Sequence, residues 1–183
     1  FTPAAKKLAD EYQSHFKLDD DPGRYCIWPG MPRAVWGAPF TVEIQQRPQD
    51  ITIYWEGYGM YRKIYMADHN PPKPVLASAM GHSVAHWEGE TLVVDVTNLN
   101  DLTWFDMAGN HHSNELHVVE RYTRTGPDHM QYEATIEDPK TFSKPWKMSM
   151  LLYRQKEANA QLFDYNCYAF DHNEKGLSIS LAR

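Results

Sequence analysis

Five of the nine histidines, His82, His86, His111, His112 and His117, fall within 36 residues, beside Asp95, Asp101, Asp106, Glu115 and Glu120. An imidazole titrates near neutral pH and serves either as a general acid or base or as a metal ligand, so this density marks a candidate site. Strand geometry limits the options. In an extended strand, residues four apart face the same side, which separates His82 from His86 by about 13 Å, too far for one metal unless a bulge intervenes. A Zn, Cu or Mn ion would therefore need two or three of His82, His112 and His117 to converge with one carboxylate.

Around His117 the alternation is informative. Leu116, Val118, Glu120 and Tyr122 share one strand face, and His117, Val119 and Arg121 share the other. An inward Glu120 is a buried carboxylate that either pairs with an arginine or has its pKa raised for acid–base work, and the sequence leaves both open. The segment 98 to 114 holds Asp101, Trp104, Asp106, His111 and His112, a mixture suited to gripping a polar or aryl ligand. Trp104 either stacks on that ligand or plugs a barrel end. Trp146 is either a matching wall or, as its position at a strand start favours, a core residue.

The elements that must position these groups are legible from periodicity. Residues 3 to 16 read as an amphipathic helix, with Thr2 as N-cap, Pro3 at its first position and Ala5, Leu8, Ala9, Tyr12 and Phe16 on one face. Three aspartates, Asp19 to Asp21, with Pro22 and Gly23 end it, and 25 to 39 reads as an ordered loop. From residue 40 the period becomes two. Phe40, Val42 and Ile44, then Ile51, Ile53 and Trp55, alternate with polar residues around Arg47-Pro48-Gln49-Asp50, a hairpin. Similar runs near 60 to 67, 80 to 87, 90 to 97, 115 to 123, 130 to 137, 146 to 154 and 161 to 169 give about nine strands. The resulting expectation is a mainly β single domain over 1–183: helix and loop at 1–39, an antiparallel up-and-down barrel of the lipocalin type at 40–170, and a tail at 171–183.

Composition excludes several classes. The 183 residues carry a net charge of −6 with no polybasic cluster, so nucleic acid and anionic membrane surfaces are not expected partners. No run of 18 apolar residues suggests a membrane span. Six Trp, 11 Tyr and 7 Phe point to an aromatic interior or cleft that takes a small molecule. Dinucleotide, Walker, His-Glu-x-x-His, Cys-x-x-Cys and nucleophile-elbow motifs are lacking, which disfavours nucleotide cofactors and serine-hydrolase chemistry. The two cysteines, Cys26 and Cys167, are either a bridge closing nearly the whole chain or two unrelated thiols.

The run Met80-Gly81-His82-Ser83-Val84-Ala85-His86-Trp87-Glu88-Gly89-Glu90-Thr91-Leu92-Val93-Val94-Asp95 resembles the core motif of a family of exported bacterial lipocalin-like β proteins whose function is uncharacterised. Cys26-x-x-Pro29-Gly30-Met31-Pro32-Arg33, His112-Ser113, Leu116 to Tyr122, Ile136-Glu137-Asp138-Pro139 and Pro145-Trp146 are similar to further motifs of that family. The resemblance implies a lipocalin-type barrel, a Cys26–Cys167 disulfide and export, to the periplasm. It also singles out His82, Ser83, Trp104, His112, His117, Glu120 and Arg121 as matching polar motif positions, whereas His86 falls where the pattern is merely basic.

Residue chemistry leads to an expected lyase, hydratase or isomerase without a cofactor. His117 and His82 would be the acid–base pair, Asp106 or Glu120 would orient an imidazole, and Arg121 or Arg62 would hold an oxyanion. Trp104, His112, Trp146 and Ser83 would line the substrate site. The alternatives are the His-ligated metalloenzyme and a non-catalytic exported carrier of a hydrophobic or sugar-like ligand.

Overall fold

The computed structural model describes residues 1–15, 17, 20–37, 40–74, 76–163 and 165–167. Phe16, the end of the expected strand 161 to 169 and the tail 171–183 lie outside the described residues.

Helix α1, Pro3–His15, starts where the sequence signals it, with the Thr2 hydroxyl accepting from the Ala5 N–H at 3.2 Å. A 3-10 turn at Pro22–Tyr25 and a short α2, Arg33–Trp36, follow. Arg33 and Asp21, both buried, fasten this segment through paired hydrogen bonds of 2.9 and 2.5 Å. Eight strands then form one sheet in chain order: β1 Val42–Gln46, β2 Asp50–Trp55, β3 Tyr61–Met66, β4 His82–Glu88, β5 Thr91–Thr97, β6 His117–Arg124, β7 His129–Glu137 and β8 Trp146–Tyr153. The sheet curls into a half-barrel.

Register puts one residue set on the concave face. Val42, Ile44 and Gln46 face Trp55, Ile53 and Ile51, and the rows continue through Arg62 and Ile64, Ser83 and Ala85, Val94 and Val96, and Val118 and Glu120. Tyr132, Ala134 and Ile136 and the half-buried Met148, Met150 and Leu152 complete it. Each fully buried aliphatic side chain on this face contributes about 1.5 to 3 kcal/mol relative to an exposed one.

One end of the curl is closed. Met31, Ala34 of α2, Leu99, Phe105 and Leu116, with partly buried Phe142 and Trp146 at the start of β8, fill it. Gly30, at φ 75°, lets the loop lie so close to the sheet connection that a Cβ would meet the Ala79 carbonyl oxygen at 2.7 Å. Cys26 and Cys167 are bridged at a sequence separation of 141, which in the chain-entropy picture stabilises by about 5 kcal/mol.

The fold is the expected one, a mainly β, barrel-like sheet with a short N-terminal helix, and three details of it differ from expectation. The β3–β4 pair is parallel, because the chain from 67 to 81 carries the path back along the sheet before β4 begins, so the meander is not strictly up and down. No β1–β8 pairing is present among the described residues, so the seam between them is open rather than closed into a complete barrel. Of the expected strand 161 to 169, the described residues 161–163 and 165–167 show one isolated bridge, Gly57 to Tyr165, and no ninth strand.

Candidate functional site

The concave face holds a buried polar network. Arg62 on β3 donates through Nε to Ser83 Oγ at 2.9 Å and through Nη2 to Glu120 Oε2 at 2.5 Å. The hydroxyls of Tyr122 and Tyr132 donate to Glu120 Oε1 at 3.2 and 2.8 Å. Burial, reinforced by the Glu120 charge, pushes both phenols well above their ordinary pKa of 10.0, so they remain donors. Both charged side chains are at most 1% exposed, which makes this network first a strut across the curl.

Beside it lies a trough. Strand register places the turns at 47–49, 89–90 and 125–128 together at the end of the sheet opposite the plugged one. Between them opens a cavity of about 650 Å³ walled by Ile44, Ile51, Ile53, Leu92, Tyr122 and Met130. Trp87, Gln46, Glu90 and Arg124 also line it. A second hollow of about 320 Å³ along the open seam shares Ile44, Ile53 and Tyr122, so the two form a continuous apolar surface. The Tyr122 side chain is the point where this surface meets the buried network.

The residues expected to act together are distributed over three places. Arg62, Ser83 and Glu120 do meet, inside the curl. His82, His117 and Arg121 sit on the convex face, because strand alternation sends them opposite to Ser83 and Glu120. His82 stacks on Tyr65 with ring centroids 5.6 Å apart. His117 lies between Asp95 Oδ2, at 3.0 Å from Nε2, and Glu137 Oε2, at 3.4 Å from Nδ1. Partial burial works against its charge, but the two carboxylates outweigh that and raise its pKa above 6.5. Arg121 pairs with Glu88 at 2.9 Å. The expected acid–base pair is thus separated from Glu120 and Arg62 by the sheet itself.

The third place is the plugged end. Trp104 is buried against Tyr12 of α1 and His111. His112, buried, contacts Thr103 Oγ1 and the Ser113 carbonyl, and burial lowers its pKa. Among the described residues Asp106 makes no hydrogen bond to an imidazole. It accepts from the Ala108 and Asn110 N–H groups and caps its own turn. Trp146 packs edge-on against Phe105 and Phe142, the core role.

Sequence reasoning missed Tyr132 as the second donor to Glu120, Asp138, whose buried carboxylate clamps the Ser113 N–H and hydroxyl, and every trough wall residue. The available signal was the two-residue step Glu120, Tyr122, Arg124, which leads from the strut to the cavity mouth once the inner face is known. Among the described residues no group of three or more His, Cys, Asp or Glu side chains is placed to hold a metal ion. No helix among them is long and apolar enough to cross a membrane.

No protein-family model, curated protein or solved structure matches the chain.

Proposed function

We propose that the chain is a non-catalytic binding protein for a small apolar or amphiphilic molecule, seated in the concave trough. The carrying observation is the cavity of about 650 Å³ whose lining is predominantly aliphatic and aromatic, with polar groups Gln46, Glu90 and Arg124, and with no histidine among its described lining residues. The Cys26–Cys167 bridge supports an oxidising compartment, and hence export. Titration with the neutral fluorophore N-phenyl-1-naphthylamine tests the reading. Saturation at one probe per chain is expected. Ile44→Lys should weaken it at least tenfold, since Ile44 lines the trough and, at 43% exposure, tolerates a charge without unfolding. His117→Ala should leave it unchanged. Equal loss in both variants, or no saturation, refutes the proposal.

A second reading, a lyase, hydratase or isomerase, rests on Tyr122. Its hydroxyl reaches Glu120 while its side chain lines the trough, so a proton path from ligand to buried carboxylate has a physical basis. Under that reading Tyr122→Phe abolishes turnover of a substrate while retaining its binding.

A further inference from the structure

The trough's polar groups are concentrated at one end, and they carry both signs. Arg124, the last residue of β6, ends the inner row Glu120, Tyr122, Arg124 at the open end of the sheet and lines the cavity. Its guanidinium is held by two backbone carbonyls, Gly126 at 3.1 Å from Nε and Pro127 at 3.2 Å from Nη2. These contacts fix its position without neutralising it. The nearby acids Glu88 and Asp128 are engaged elsewhere, by Arg121 and Lys156. Glu90 lines the same cavity and is in none of the ion pairs among the described residues. Arg124 and Glu90 are therefore a cation and an anion at one mouth that do not pair with each other.

Trp87 completes the arrangement. It lies on the inner row of β4, opposite Leu92 and three residues before Glu90, and 47% of its surface is exposed at the cavity wall. An exposed indole face and a carboxylate lining one cavity suit a quaternary ammonium group, which gains from the ring quadrupole and loses little hydration. A guanidinium with three free N–H donors suits a phosphate. Apolar walls below, Leu92, Ile53 and Tyr122, suit an alkyl chain.

We infer that the trough takes a single-chain zwitterionic amphiphile, with its phosphate on Arg124, its quaternary ammonium on Trp87 and Glu90, and its alkyl chain on the Ile53 side. This inference rests on the trough being a ligand site.

Calorimetric titration with four probes of one chain length tests it: octylphosphocholine, octyl phosphate and octyltrimethylammonium, each below its critical micelle concentration, and 1-octanol below its solubility limit. Octylphosphocholine should bind at least tenfold tighter than octanol and tighter than either singly charged probe. Arg124→Gln should reduce its affinity to that of octyltrimethylammonium. Glu90→Gln with Trp87→Leu should reduce it to that of octyl phosphate. If octanol binds and octylphosphocholine binds no tighter, or if octyl phosphate matches it, the headgroup assignment is overturned while the trough reading stands. If none of the four binds, both fall.

Discussion

Arg62 and Glu120 stand three strands apart in the sheet, yet their charged atoms meet at 2.5 Å across its concave side. Along the sheet that separation is about 14 Å, so the contact exists only because the sheet curls. The pair thus couples curvature to charge compensation.

Removing one partner leaves the other as an uncompensated buried ion. Arg62→Met and Glu120→Leu should each cost about 3 to 5 kcal/mol in urea unfolding. The double variant should cost less than the sum by 2 kcal/mol or more on the order expected for a directly coupled pair, with the remaining loss coming from the Tyr122 and Tyr132 hydroxyls, which lose their acceptor. Additive losses would show that the two side chains are not coupled.

The same network predicts an alkaline limit. The folded pKa of Tyr122 and of Tyr132 is raised by burial and then by Glu120, so their contribution is fully present below pH 10 and is lost as pH rises above it, where the unfolded chain ionises and the folded one does not. Ultraviolet titration of the 11 tyrosines should show two that ionise only together with unfolding. Smooth titration of all 11 in a folded chain would contradict the network.

On the convex face, His117 has a folded pKa above 6.5, because Asp95 and Glu137 together outweigh the opposing effect of its partial burial. Its contribution is present below pH 6.5 and declines as pH rises through the folded value. Proton NMR of the imidazole should show the raised pKa in the native chain and a downward shift in Asp95→Asn. His112, held neutral by burial, should titrate below 6.5 in the same spectra.

Much of this architecture was legible in the sequence. The two-residue period located the hairpin around 47–49 and all later strands through β8 within a few residues, since alternating burial is what the pattern encodes. It also separated His117 and Arg121 from Glu120 and Tyr122. Which set faced inward was not legible, because each set mixes apolar and charged residues and the decisive partner, Arg62, sits between Tyr61 and Lys63 with nothing local to mark it as buried. The parallel β3–β4 step was hidden for a related reason: strand direction is set by where the connection 67 to 81 travels, and period two is the same in either direction. The clustered histidines lie apart in the fold, because their nearness in sequence runs across strand turns and faces that alternation separates.

The central claim is that the concave trough is a ligand site. The most direct measurement is methyl NMR of the chain titrated with 1-octanol. Saturable shifts confined to the methyls of Ile44, Ile51, Ile53, Leu92 and Met130 are predicted, because these line the cavity. Shifts that do not saturate, or that fall on the loop around Trp104 and His112 at the plugged end, would contradict the account.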